Sequence, residues 1–239
     1  MKNTFITKAV CLVFLMFLNS CDTAQFKKEV REIMGSTSEG ITLDTIVAGL
    51  KEALTVGINK TVDQTSQQGG YFNNKEIFIP VPESLEIVTN SMRKIGMGSV
   101  VDNFEAKMNE AAEHASSQAI PVFVDAIKQI SFQDAKSILY GKETAATDYF
   151  REKTQLSLQE LYAPIVEDHL KQIGAIDAFH TLMDKYEQLP FTPKLEYDLE
   201  EYVVGKALDG LFIVLAKEER KIRKNPAART TELLRKVFK

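Results

Sequence analysis

The sequence predicts an all-α protein, and two features support this fold class. Apolar residues recur at steps of three and four positions over most of the chain, which is the period of an α-helix. Glycine and proline divide this pattern into roughly eight to ten segments of helical length. Hydrophobic residues make up 44% of the 239 residues, enough for one sizeable core. We therefore expect a single multi-helix domain, with a central apolar helix near the C-terminus and at most one tiny β-hairpin.

The helical segments are separated by turn residues that set their approximate bounds. Ser131 is a favourable N-cap for the helix that follows it, and Gly141 is a favourable end. Pro80 and Pro82 precede another helix, because proline is favoured in the first helical turn. Helices are predicted from 42 or 44 to 66, from 144 or 147 to 174, and over residues 83–95, 100–117, 122–130, 132–140, 176–186, 198–224 and 227–238.

One helix and one non-helical stretch stand out. Asp198 is expected to cap the longest helix, whose middle, 207–216, is apolar apart from Asp209. A helix that is apolar nearly all round lies at the centre of a bundle, and this apolar run is too short to span a membrane. Residues 71–79 are the only stretch with the character of a strand, and Asn73-Asn74 is suited to the turn of a small hairpin.

The N-terminus has the pattern of an export signal. Lys2 and Lys8 precede an apolar run, 9–18, of about ten residues, which suits a signal peptide and is too short to cross a bilayer of about 30 Å. Leu18-Asn19-Ser20-Cys21 follows and resembles the lipobox of bacterial lipoproteins, in which the cysteine is acylated and the signal is cut before it. The alternatives are an ordinary secretory signal with a chance cysteine, or an uncleaved anchor.

These patterns divide the chain into three parts. Residues 1–20 are predicted to be a signal peptide, and 21–40 a lipidated Cys21 followed by a flexible tether that is rich in Gly, Ser and Thr. Residues 41–239 are expected to form the helical domain. Cys11 lies within the signal, so a lipidated Cys21 leaves the mature chain no thiol for a disulfide or for cysteine catalysis.

The charge balance excludes one class of partner. The chain has 29 Lys and Arg against 33 Asp and Glu, a formal net charge of −4. This is not the balance of a nucleic-acid-binding protein. We expect the membrane to be a partner through the N-terminal acyl chains, with an envelope protein or a lipid as a further partner.

Several short stretches after the tether form a characteristic series. They are Gly70-Tyr71-Phe72, Ile79-Pro80-Val81-Pro82, Met108–Glu113, Phe123–Ile127, Ala145–Phe150, Lys206–Phe212 and Asn225–Thr231. In this order they resemble the bacterial domain-of-unknown-function family 4197, and the resemblance covers nearly all of the chain after the tether. It implies an exported or lipid-anchored helical protein of Gram-negative-type bacteria, and it implies no activity.

Histidine and carboxylate spacing offers one candidate metal site. Asp177, His180 and Asp184 share one helix face, which would suit a metal ion, although such a pattern is more often a solvated face. His114 follows Glu110 by one turn, and neither it nor His169 has the Glu-x-x-His spacing of di-iron bundles. No phosphate-binding loop or nucleophile elbow is present. The sequence thus predicts no cofactor and no catalytic residue.

Two carboxylates interrupt apolar runs and raise the alternative of a buried polar site. Asp125 and Asp209 would be costly to bury unless paired. The structural interpretation is that Lys128 and Lys206 pair with them along their own helices. The functional interpretation is a buried polar site completed by Arg229.

These observations favour a non-enzymatic role. The first hypothesis is a tethered helical binding or scaffold module of the cell envelope, supported by the anchor pattern, the tether and the lack of catalytic motifs. The alternative is a carrier that holds a lipid or another apolar ligand between helices, supported by 14 Phe and 7 Met. A hydrolase is the third hypothesis.

Overall fold

The computed structural model describes residues 43–187 and 198–228. The chain divides into two units, Met1–Val47 and Ala48–Lys239, and of the first unit only the opening of the first helix is described. The described helices are α1 (Leu43–Ser66), α2 (Glu86–Lys94), α3 (Gly98–Ser116), α4 (Ile120–Gln129), α5 (Phe132–Tyr140), α6 (Ala145–Gln172), α7 (Ala175–Glu187) and α8 (Leu199–Lys224), with 3-10 turns at Glu83–Leu85 and Pro226–Ala228. No strand occurs in these ranges, so the all-α prediction is confirmed.

The predicted caps place the ends of two helices. Ser131 Oγ accepts a hydrogen bond from the Asp134 backbone N–H, and the Asp134 carboxylate accepts one from the Ser131 N–H, which is a complete capping box for α5. The Ser131 hydroxyl also donates to the Asp134 carboxylate at 2.6 Å, and this bond, together with the one from the Ser131 N–H, lowers the pKa of Asp134. Asp198 Oδ1 accepts from Glu201 N at 2.8 Å and caps α8. Both caps were predicted from the sequence and are confirmed.

The longest described helix is α6, with 28 residues, so the prediction that α8 would be the longest is wrong; α8 has 26. Helix α6 continues through Pro164 because this proline lies on the exposed side of the helix. The carbonyl group that loses its hydrogen-bond donor to proline can be hydrated there.

The core of the second unit forms around α8, which packs mainly against α6 and α3. Phe123 of α4 meets Phe150 of α6 and Phe212 of α8 edge-to-face, with ring centroids 5.5 and 6.1 Å apart. All three rings are buried, and such contacts add to the hydrophobic stabilisation. A central apolar helix near the C-terminus is therefore observed. No helix in the described ranges is long and apolar enough to cross a membrane.

The predicted hairpin is absent, and residues 69–79, hereafter the turn segment, form overlapping turns instead. Asn73 N donates to Gly69 O, Asn74 N to Tyr71 O, and Phe78 N to Asn74 O. Tyr71, Ile77 and Ile79 are buried, and only the end of the segment, residues 77–79, alternates in burial as a strand would. No partner strand is needed, because side chains of α3 bind the backbone at both ends of the segment, as detailed below.

The turn segment packs closely against Gly210 of α8. A Cβ atom at Gly210 would lie 2.5 Å from Tyr71 Cε1 and 3.1 Å from Ile77 Cβ, whereas one at Gly205 of the same helix would meet nothing within 4 Å. Gly210→Ala is therefore expected to destabilise the protein by about 1–2 kcal/mol despite the better helix propensity of alanine. Gly205→Ala is the matched control and should stabilise by about 0.5–1 kcal/mol. Chemical denaturation measures both, and equal effects would contradict the close packing of the turn segment against Gly210.

Candidate functional site

A buried carboxylate of α3 organises the start of the turn segment. Glu113 is 7% exposed. Its Oε1 accepts hydrogen bonds from Tyr71 N at 3.0 Å and Phe72 N at 3.2 Å, and its Oε2 accepts one from Gly69 N at 3.0 Å. Gly69 has φ +78°, a backbone conformation that favours glycine. Three backbone donors are thus satisfied by one side chain.

A buried amide one turn earlier holds the end of the same segment. Asn109 Oδ1 accepts from Ile79 N at 2.9 Å, and Asn109 Nδ2 donates to Ile79 O at 2.8 Å. The amide therefore pairs with both backbone groups of Ile79, as a neighbouring strand would. Nδ2 also donates to Glu105 O at 2.8 Å within α3. One face of α3 thus fixes both ends of the turn segment.

The Tyr71 side chain fastens the segment to α8. Its hydroxyl donates to Ala207 O at 2.6 Å and accepts from Ser116 Oγ at 3.2 Å. Burial raises the pKa of the Tyr71 hydroxyl well above its ordinary value, and the neighbouring Tyr162 raises it further. The hydroxyl accordingly remains protonated, and its role is to hold the turn segment in place.

A second buried carboxylate, Glu219 of α8, joins three helices. It accepts from Ala146 N at 2.9 Å, and from Thr147 N and Thr147 Oγ1 at 2.8 Å each, which caps the start of α6. It also accepts from Arg223 Nη2 at 2.8 Å, and Arg223 Nη2 donates to Ile138 O at 2.6 Å near the end of α5. The apolar cavity beside this pair leaves only about 20 Å³ free, roughly the space for one water molecule.

An open polar cleft of about 840 Å³ lies beside the turn segment. We call it the α3 cleft, because α3 contributes its floor. The end of α1, the turn segment and α6 provide the other lining residues. Glu113 lies at its inner side, so the bonds that fix the turn segment also fix one wall of the cleft. The lining residues are Ser66, Gln68, Gly69, Phe72, Asn73, Ala106, Glu110, Glu113, His114 and His169.

Two histidines stack within the α3 cleft. The rings of His114 and His169 are nearly parallel, with centroids 4.7 Å apart and an angle of 16°. His169 Nε2 is 3.5 Å from Glu110 Oε1, and it has no hydrogen bond of normal geometry in the described part of the chain. The His169 side chain is 16% exposed and that of Glu110 is 57% exposed.

The described lining of the α3 cleft combines polar side chains with two stacked imidazoles. A histidine that acts as a general base needs a hydroxyl, thiol or water held at hydrogen-bond distance and a reacting group beside it. Among the described residues no hydroxyl group is hydrogen-bonded to either imidazole, and the Ser117 hydroxyl donates to the His114 backbone carbonyl at 2.8 Å. The described residues of the cleft therefore offer polar contacts to a ligand.

The two carboxylates of the candidate buried polar site are not buried. The carboxylates of Asp125 and Asp209 are 66% and 58% exposed, because each lies on the solvent-facing side of its helix. Asp125 pairs with Lys128 at 2.9 Å as the structural interpretation predicted, whereas Asp209 pairs with Arg151 of α6 at 3.0 Å and not with Lys206. Arg229 lies outside the described residues, as does Cys21.

The candidate metal residues occupy one exposed face of α7. Asp177, His180 and Asp184 are all exposed, and Thr181 Oγ1 between them bonds the Asp177 carbonyl within the helix. No cluster of three or more His, Cys, Asp or Glu with metal-binding geometry occurs in residues 43–187 and 198–228. The three side chains form the solvated face that the spacing also allowed.

Sequence reasoning missed the residues that build the cleft. Asn109 and Glu113 were recognised only as part of a family stretch, and His114 and His169 were considered separately. A usable signal was present, since Asn109, Glu113 and Ser116 share a face of α3 with buried Met108, Ala112 and Ala115. Polar residues on an apolar face must find partners, and the partners of Asn109 and Glu113 are backbone groups at least thirty residues away.

The same stretches that carry the family resemblance meet in this region. Gly70-Tyr71-Phe72 and Ile79 bind α3 residues of the 108–113 stretch, and Tyr71 reaches α8 at 206–212. The family model described as "Protein of unknown function (DUF4197)" matches residues 40–239. The chain belongs to this family. No curated protein and no solved structure shows significant similarity to this chain.

Proposed function

We propose that the protein is a bacterial lipoprotein whose helical domain is a non-enzymatic binding module of the cell envelope. The single observation that carries the binding role is the α3 cleft. It is open and polar, its volume of about 840 Å³ is large enough for a side chain or a small molecule, and Glu113 fixes one of its walls. A fixed wall reduces the entropy that ordering would cost on binding.

The carrier alternative has less support in the described residues. A lipid carrier needs an apolar cavity large enough for acyl chains. The apolar cavity between α1, α5, α6 and α8 offers only about 20 Å³. The large cleft has polar walls instead, which suit a polar partner better than an acyl chain.

Photo-crosslinking from the cleft tests the binding role. Benzoylphenylalanine is placed at Gln68, an exposed residue of the cleft, or at Gln129, an exposed residue of α4. We expect a discrete adduct in living cells from position 68 and none from position 129. The same adducts from both positions, or none from position 68, would contradict a partner site in the cleft.

The membrane tether rests on Leu18-Asn19-Ser20-Cys21. Several acyl chains give stable attachment where one alone would not, since each buried methylene contributes about 0.8 kcal/mol. We propose that the mature domain faces the periplasm or the cell surface from this anchor.

Cys21→Ser is expected to abolish metabolic labelling by palmitate and to leave the precursor uncut. Cys11→Ser is the matched control, because Cys11 lies within the proposed signal and should be dispensable for labelling. Gel mobility and labelling measure both variants. A Cys21→Ser protein that is labelled and matured like the wild type would rule out the lipoprotein assignment.

A further inference from the structure

We infer that the α3 cleft binds a cationic group, a primary ammonium or a guanidinium, and that Glu110 is its principal partner. The inference rests on the proposed binding role of the same cleft and adds the chemical class of the ligand. It follows from the charges that line the cleft, from the availability of the Glu110 carboxylate and from an exposed aromatic ring.

The formal charges in the cleft are all negative. Among the described lining residues there is no lysine or arginine, and the formally charged ones are Glu110 and Glu113. The Glu113 charge is directed at the Gly69, Tyr71 and Phe72 backbone N–H groups and is largely compensated there. Glu110 therefore provides the charge that a ligand would meet.

The Glu110 carboxylate is available to such a ligand. Its side chain is 57% exposed, and its one described contact is the 3.5 Å approach of its Oε1 to His169 Nε2. This distance is too long for a strong hydrogen bond. A ligand N–H donor at ordinary distance would make a shorter, charge-assisted bond, which is among the stronger polar contacts in proteins.

The other residues that line the cleft also favour a cationic ligand. Phe72 is 44% exposed and meets Phe78 edge-to-face at 5.7 Å, which holds the ring in place at the cleft wall. The face of an aromatic ring attracts a cation within about 6 Å of its centre. Gln68 and Asn73 have exposed side chains whose amide oxygens can accept further N–H groups of the ligand. A carboxylate, an aromatic face and neutral acceptors together match an ammonium or a guanidinium.

Calorimetric titration of the purified full chain tests the inference. Two cationic probes, Nα-acetyl-lysine methylamide and Nα-acetyl-arginine methylamide, represent a cation carried by a peptide. Butylamine represents a free amine. N-acetyl-norleucine methylamide is the neutral control of similar shape. We expect saturable binding of cationic probes and none of the norleucine probe. Tighter binding of the amino-acid probes assigns the group to a peptide, and tighter binding of butylamine assigns it to a small amine.

Variants localise the binding. Glu110→Gln is expected to weaken the best probe at least about tenfold, since it removes a charge-assisted bond, and Phe72→Leu by about threefold. Asp125→Asn removes an exposed carboxylate on α4, outside the cleft, and should change nothing. Matched melting curves confirm that each variant is folded. No binding of cationic probes, equal binding of the neutral probe, or an unchanged Glu110→Gln variant would overturn the inference. A crosslinked partner at position 68 without any response to these probes would overturn it while leaving the binding role intact.

Discussion

Glu113→Ala is expected to lower the free energy of unfolding by about 3 kcal/mol. The substitution removes the acceptor for the backbone N–H groups of Gly69, Tyr71 and Phe72, and that of Tyr71 is fully buried. A buried donor that loses its partner costs about 1–3 kcal/mol, and the two partly buried donors cost less because water can reach them. Urea denaturation of the purified chain measures the loss.

A second substitution separates charge from shape at the same position. Glu113→Gln keeps the size of the side chain, but its amide NH₂ faces donors where a carboxylate oxygen stood, so we expect an intermediate loss of stability. Glu110→Gln, one turn earlier on α3, is the control and should stay within about 0.5 kcal/mol of the wild type because its side chain is largely exposed. Equal stability of the Glu113 and Glu110 variants would contradict the assigned contacts.

Glu219→Ala is expected to be still more destabilising, by about 3–5 kcal/mol. Glu219 and Arg223 have side chains only 7% and 13% exposed, so removal of the carboxylate leaves a guanidinium in a poorly hydrated place. The backbone N–H groups of Ala146 and Thr147 at the start of α6 lose their acceptor as well. Thermal and chemical denaturation should both report the loss.

The control for this second prediction is an exposed ion pair on the same helix. Lys224 of α8 lies 2.7 Å from Glu143, and both side chains are more than half exposed. Glu143→Ala should change stability by no more than about 0.5 kcal/mol, because surface ion pairs are weak. A Glu219→Ala variant that is as stable as Glu143→Ala would show that the buried pair does not join α5, α6 and α8 as described.

Much of the fold follows from local patterns in the sequence. The caps at Ser131 and Asp198, the central helix α8 and the helical bounds depend on neighbouring residues, which periodicity and capping rules describe directly. The family assignment was also available from short stretches. The same rules failed at residues 71–79, where strand-like residues around Asn73-Asn74 suggested a hairpin, because the partners of that backbone are side chains on α3.

The candidate site is formed by contacts between residues that are far apart in the sequence. Local sequence patterns do not predict such contacts. Asp209 interrupts an apolar run and was suspected of being buried, yet it faces solvent and pairs with Arg151, 58 positions away. Glu113 and His169 interrupt no apolar run, yet both line the cleft. Which polar residue on a helix is buried depends on packing between helices, so it had to be observed.

The central claim is that Glu113 fixes the wall of the α3 cleft, and amide hydrogen exchange tests it most directly. In the wild type we expect the amide protons of Gly69, Tyr71 and Phe72 to exchange slowly, at rates well below that of Glu76. The Glu76 N–H is a suitable reference because it donates to the nearby Asn74 side chain in an exposed turn. In Glu113→Gln this protection should fall selectively at those three amides while the amides of α5 stay protected. Wild-type exchange at Tyr71 as fast as at Glu76 would contradict the account.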